Sequence, residues 1–187
     1  EDESGVDIVF VGDSVGTNVL GYESEKEVTL DDMIHHLKAV RRGVCQAYLL
    51  VDLPYLTYET TEDALRNARK LMSHGADGVK MEGFRPDIVK NLVQNGIQVC
   101  AHLGLNPQMH EKKGLRVKTA VAATRLISES EGLEDAGAWL IVYELIPEEV
   151  AREATRRLSI PTIGIGAGRH TDGQVLIVSD MLGINEF

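Results

Sequence analysis

The chain has 187 residues, 43% of them hydrophobic, which suits one well-buried core and argues against an unfolded polypeptide. Lysine plus arginine number 19 and aspartate plus glutamate 29, a formal charge of −10, so nucleic acid and anionic lipid are poor partners. No apolar run approaches the roughly 20 residues that span a bilayer, and no leader segment is evident, so a cytoplasmic protein is expected.

Residues 1–5 read as the end of a helix with its glycine stop, and a preceding βα unit is expected to lie outside the chain. The apolar run 6–11 gives a first strand. Thr29, followed by Asp31 and Asp32, opens a helix whose Met33, Leu37 and Val40 share a face and which Gly43 ends. A second strand is expected at 47–53. Thr60-Thr61-Glu62-Asp63 starts the next helix, with Ala64, Ala68 and Leu71 on one stripe and Gly75 as its stop. Strand 78–82 follows. Pro86 then sets a first helical turn, with Ile88, Val89, Leu92 and Val93 on the apolar face before Gly96. Strand 97–103, a helix over 119–130, strand 138–145, a helix from Pro147, and strands 161–165 and 174–179 complete the pattern. Cys45 and Cys100 lie beside or within apolar stretches and read as free buried thiols, with neither the number nor the spacing of a disulfide framework or a zinc site.

Most of these strands are continuous apolar runs, as expected where helices cover the sheet. Their alternation with helices predicts an α/β fold built on a parallel sheet. Seven strands are counted, against the eight of a closed (β/α)8 barrel, and no linker divides residues 1–187, which are read as one barrel domain.

Carboxylates recur where the apolar runs end. Asp13 closes the first, Asp52 the second and Glu82 the third. Parallel α/β folds build their sites at such C-terminal strand ends, and three such oxygens could hold one hard divalent cation. Taken singly, each acid could equally cap a helix. Lys80 stands two residues before Glu82, on the same face of its strand. An ammonium inside an apolar strand must be paired or bind an anion, and an ion pair with Glu82 is the plainer role. His102 ends the fourth strand, as a structural residue or a functional one. Glu144, set in Trp139-Leu140-Ile141-Val142-Tyr143-Glu144-Leu145-Ile146, suits a general acid or base, or a partner for the helix start at Pro147. Gly164-Ile165-Gly166-Ala167-Gly168 does not match the dinucleotide fingerprint, and a tight rim turn explains it as well as close approach to a ligand.

In chain order, Val11-Gly12-Asp13-Ser14, Ala39-Val40-Arg41-Arg42-Gly43, Asp52-Leu53-Pro54-Tyr55, Val79-Lys80-Met81-Glu82-Gly83, His102-Leu103-Gly104-Leu105, and Gly164-Ile165-Gly166-Ala167-Gly168 through Thr171-Asp172-Gly173-Gln174 resemble the ketopantoate hydroxymethyltransferase family. The resemblance implies a (β/α)8 TIM barrel of the phosphoenolpyruvate/pyruvate type, assembled as a large homo-oligomer, commonly a decamer. It implies Mg2+ held by Asp13 and Asp52 with Glu82 in or next to its shell. Asp13, Ser14, Asp52, Lys80 and His102 would meet the α-keto acid, and Glu144 would be the catalytic base. The implied reaction joins 3-methyl-2-oxobutanoate and 5,10-methylenetetrahydrofolate to give 2-dehydropantoate, a step of pantothenate and coenzyme A biosynthesis. The chain departs from the family pattern in a shorter loop at Gly114-Leu115-Arg116-Val117-Lys118-Thr119, and in lacking the first βα unit and the region beyond Phe187. Two other readings stand beside this one: a metal-dependent carbon–carbon lyase on the same barrel, and a barrel that keeps the fold as a scaffold without turnover.

Overall fold

A computed structural model describes residues 1–109 and 114–184. Seven strands form one sheet in strict chain order: β1 (Ile8–Val11), β2 (Tyr48–Asp52), β3 (Gly78–Glu82), β4 (Val99–Gly104), β5 (Leu140–Glu144), β6 (Thr162–Ile165) and β7 (Gly173–Gln174). Every neighbouring pair is parallel. Parallel neighbours require crossovers, and helices supply them: α1 (Leu30–Arg41), α2 (Thr61–Ser73), α3 (Pro86–Gln94), α4 (Ala120–Asp135) and α5 (Glu148–Arg157). This is the βα succession of a (β/α)8 barrel wall, with seven of the eight strands among the described residues.

Local chemistry sets the helix starts. Thr29 accepts from the Asp32 backbone N–H while the Asp32 carboxylate accepts from that of Thr29, closing a capping box at α1. Thr60 and Thr119 cap α2 and α4, and Pro86 begins α3. Each helix lays a short apolar stripe on the sheet: Met33 and Leu37, then Ala64, Ala68 and Leu71, then Ile88, Val89 and Leu92. A leucine fully buried in this layer contributes about 1.5–3 kcal/mol.

The strands sort their residues by parity. In β1 to β5 the odd positions, such as Val9, Val51, Val79, Ala101 and Ile141, pack in the large core shared with the helices. The even positions Phe10, Leu50, Cys100, Leu140 and Val142 form a second cluster on the opposite face, joined by Ile163 and Ile165 of β6. That second face is the interior of the barrel.

The structure differs from the sequence reading at three places. Helix α4 runs past residue 130 to Asp135, and Gly132 inside it leaves room for the ring of Phe84, which a Cβ there would approach to 3.1 Å. The last strand is only Gly173–Gln174; its apolar continuation has just one neighbouring strand to pair with, leaves Leu176 64% exposed, and turns into a short helix at Val178–Met181. Cys45 is exposed, whereas Cys100 is buried as expected. The opening turn agrees with expectation: Asp2–Ser4 is a 3-10 turn ended by Gly5. Among the described residues no helix is long and apolar enough to cross a membrane.

Candidate active site

Strand register brings the candidate residues together. Asp52, Lys80, Glu82, His102 and Glu144 all occupy even, interior positions near the C-terminal ends of β2 to β5. Asp52 lies opposite Lys80 across β2 and β3, and Glu82 opposite His102 across β3 and β4. Glu144 lies opposite Gly104, two residues beyond His102 on the same face. Asp13 joins from the turn that follows β1, where its backbone N–H donates to Asp52 Oδ2 at 3.0 Å. Ser14 is next in that turn and half-buried, its carbonyl accepting from the side chains of Thr17 and Asn18.

Lys80 Nζ donates to Asp52 Oδ1 at 2.5 Å, with both side chains at most 5% exposed. The partner is Asp52 rather than Glu82. A neighbouring strand in register stands about 4.8 Å away, whereas positions i and i+2 of one strand are about 6.6 Å apart. The ammonium also lies 5.1 Å over the Phe10 ring. His102 bridges the other two acids, Nδ1 at 3.5 Å from Glu82 and Nε2 at 3.3 Å from Glu144. Neither contact is aligned as a hydrogen bond, so the bridge is electrostatic.

Three buried carboxylates thus face one buried ammonium. Burial tends to strip the proton from Lys80, but Asp52, Glu82 and Asp13 outweigh it and hold the amine charged, above its ordinary range. Burial and the neighbouring Asp52 charge push Asp13 well above the usual carboxylate range, and burial raises Asp52 as well. Glu82 goes the other way: burial opposes its charge, yet His102, Lys80 and the Gln108 backbone N–H hold it below its ordinary value. For His102, burial and Lys80 favour the neutral ring, but Glu144 and Glu82 prevail and raise it.

With both ionised, Asp13 and Asp52 would carry more negative charge than Lys80 balances, in a place with little water to disperse it. A divalent cation would relieve this strain, and Mg2+ is commonly held by one or two carboxylates with water and substrate oxygens completing its shell. The donor set fits such an ion. It does not supply three converging protein ligands: among the described residues, no three acidic, histidine or cysteine side chains are grouped closely enough to hold a metal. Glu82, expected as a third ligand, has one oxygen engaged by the Gln108 backbone N–H at 3.0 Å and the other facing His102.

Two further residues complete the cluster and escaped the sequence reading. Tyr58 and Gln108 are 2% and 0% exposed, and they hydrogen-bond to each other through the Tyr58 hydroxyl and Gln108 Oε1. Both lie in loops that follow strand ends, outside any periodic pattern. The only signal was an uncharged polar side chain just beyond His102-Leu103-Gly104-Leu105.

The rim is built to hold Glu144 in place. Gly104, at φ +103°, leaves room for the Glu144 carbonyl, which a Cβ there would approach to 2.3 Å. The carbonyl of Leu145 accepts from the Arg116 backbone N–H at 2.7 Å, tying down the loop before α4. Gly166 and Gly168 admit the side chains of Leu145 and Glu148, so the glycine string makes a tight rim turn. A surface groove of about 540 Å3 beside α4, lined by Phe84, Val121 and Arg125 among others, shares no residue with the strand-end cluster.

Parallel strands in chain order, with acids, a lysine and a histidine buried at their C-terminal ends, define a (β/α) barrel with its candidate site at the strand ends. The fold superposes on phosphoenolpyruvate phosphomutase from Streptomyces platensis subsp. rosaceus with a TM-score of 0.72 at 11% identity, over 97% of this chain and 72% of that one. It also superposes on phosphonopyruvate hydrolase in complex with oxalate and Mg2+, with a TM-score of 0.64 at 10% identity, over 87% and 61%. These likenesses concern the fold alone. The chain belongs to the ketopantoate hydroxymethyltransferase family, an enzyme family whose model matches residues 1–187. It is 48% identical to the 3-methyl-2-oxobutanoate hydroxymethyltransferase of Saccharophagus degradans, over 98% of this chain and 70% of that protein.

Proposed function

We propose that this protein transfers a one-carbon unit from 5,10-methylenetetrahydrofolate to C3 of 3-methyl-2-oxobutanoate, giving 2-dehydropantoate and tetrahydrofolate, with water supplying the new hydroxyl oxygen. The observation that carries the reading is the line Glu144–His102–Glu82 beside the Asp13–Asp52–Lys80 group, which places a half-buried carboxylate next to a buried cluster of charged side chains. Family membership supplies the substrate class.

Each group has a physical task. Glu144 takes the C3 proton. His102, 3.3 Å from Glu144, accommodates the negative charge of that carboxylate when protonated. Lys80 provides fixed positive charge for the keto acid's carboxylate and for the oxygen that becomes an enolate, and Ser14 offers a hydroxyl from the Asp13 turn. Asp13 and Asp52 would hold Mg2+, with Glu82 beside them. Bound there, the ion supplies Lewis-acid stabilisation of the enolate, an effect worth several kcal/mol. The enolate carbon then bonds to the one-carbon unit, both carbon–nitrogen bonds from that unit to the folate break with the nitrogens taking protons, and the oxygen of water bonds to the same carbon as the hydroxyl. Assembly as a homo-oligomer, the decamer of the family pattern, belongs to the same reading, and light scattering tests it.

The direct test follows deuterium exchange at C3 of 3-methyl-2-oxobutanoate with and without Mg2+, then adds methylenetetrahydrofolate. Exchange and product formation should both require Mg2+, and both should fall by about 100-fold or more in Glu144→Gln, within the range for loss of a general base. Exchange that survives unchanged in Glu144→Gln would remove that residue from the role. Exchange without product would assign the site a different electrophile.

A further inference from the structure

Gln108 is fully buried and makes four hydrogen bonds. Its backbone N–H donates to Glu82 Oε2 at 3.0 Å. Its side-chain Nε2 donates to Asp13 Oδ2 at 2.7 Å and to the Leu53 carbonyl at 3.1 Å, and its Oε1 accepts from the Tyr58 hydroxyl. One loop residue thus ties together the ends of β1, β2 and β3.

The bonds also fix direction. The backbone N–H of Glu82 donates to the Tyr58 oxygen at 3.4 Å, which leaves the Tyr58 hydrogen for the Gln108 amide oxygen. With that oxygen committed, the amide NH2 faces Asp13 and Leu53, and both of its hydrogens are used. A flipped amide would set oxygen against a carboxylate and a carbonyl, and would lose both bonds that Nε2 donates. The residue type is also telling. A lysine or arginine here would compete with a cation for Asp13, and a glutamate would add another acid to a cluster already short of positive charge. A carboxamide donates without changing the charge.

We propose that Gln108 is a positioning residue for the divalent cation: it holds Asp13 Oδ2 so that the other carboxylate oxygen is presented to the ion, while Tyr58 sets the direction of the amide. This rests on the reading of Asp13 and Asp52 as the metal-holding pair. Side chains that orient a ligand in this way commonly change metal affinity by about 10–100-fold when removed.

The test is calorimetric titration of Mg2+ into chelator-stripped full-length protein, for the wild type, Gln108→Met, Tyr58→Phe and the double variant. Methionine keeps the volume and removes the donor. Its Kd for Mg2+ should rise about 10–100-fold. Tyr58→Phe, which removes only the bond that orients the amide, should raise it about 2–10-fold. The double variant should match Gln108→Met, because Tyr58 acts through the amide. In turnover, the Mg2+ concentration for half-activation of Tyr58→Phe should rise while kcat at saturating Mg2+ stays near wild type. A purely structural role would instead lower the metal-free melting temperature and leave the affinity alone. Wild-type affinity in Gln108→Met, or strictly additive effects of the two substitutions, would overturn the proposal while leaving the metal reading intact. If Gln108→Met does not fold, wild-type affinity in Tyr58→Phe overturns it. Failure of the wild type to bind Mg2+ would overturn the metal reading and the proposal together.

Discussion

Lys80 is the only cation hydrogen-bonded among the three buried acids of the described site, and replacing it by methionine tests the charge argument. Its Nζ lies 2.5 Å from Asp52 Oδ1. At an effective dielectric of about 20, unit charges at that distance attract by about 7 kcal/mol. Withdrawing each ion from water costs several kcal/mol, so the intact pair is nearly neutral for stability. Removing one partner is different, because Asp52 then stays buried without compensation, at a cost of about 3–5 kcal/mol. With a urea m-value of about 2.5 kcal/mol/M, the unfolding midpoint of Lys80→Met should fall by roughly 1–2 M, followed by circular dichroism in a chelator at neutral pH. Lys80→Met/Asp52→Asn removes both charges and should recover at least half of that loss. A single variant within about 0.3 M of wild type, or a double variant no more stable than the single, would refute the reasoning.

Gly104→Ala should lower the melting temperature by about 10 °C in differential scanning fluorimetry, since it combines a strained left-handed residue with overpacking against the Glu144 carbonyl; a change under about 2 °C would show that β5 yields easily. One thiol should react rapidly with Ellman's reagent at pH 8, exposed Cys45, while Cys100, buried and pushed up to about 12, should react only after unfolding; two fast thiols would contradict the packing of the barrel interior. Hydrogen bonds from Arg156 and then Arg157 hold the Glu153 carboxylate at about 2 against an ordinary 4.5. Its folded value lies below its unfolded one, so its contribution is present above pH 4.5 and is lost as pH falls toward 2. A carbon-detected NMR titration should show that low midpoint and its return toward 4.5 in Arg156→Gln/Arg157→Gln.

The fold was legible because its signals are continuous and local. Apolar runs ending in Asp52 and Glu82, and cap residues such as Thr29, Thr60 and Thr119, fall where the strands and helices fall. The strand-end acids were legible for the same reason, since a charge breaking an apolar run stands out. Pairing was not. Whether Lys80 meets Glu82 along its own strand or Asp52 on the next depends on register, which is a tertiary property. The contact of Gly132 in α4 with Phe84, nearly fifty residues earlier in the chain, is likewise tertiary. Gln108 and Tyr58 were invisible because an uncharged polar loop residue carries no periodicity, and its importance rests wholly on what encloses it.

The pairing of β2, β3 and β4 has a consequence for how this protein can fail. Slipping β3 by one residue would bring Val79 and Met81 to the barrel interior and drive Lys80 and Glu82 under the helices. Such a misfolded sheet would bury two charges in an apolar layer, so the same side chains proposed for chemistry also penalise the wrong alignment. Quality control of the fold and assembly of the pocket are then one event: molecules that close the sheet correctly have already set the pocket's charges in place.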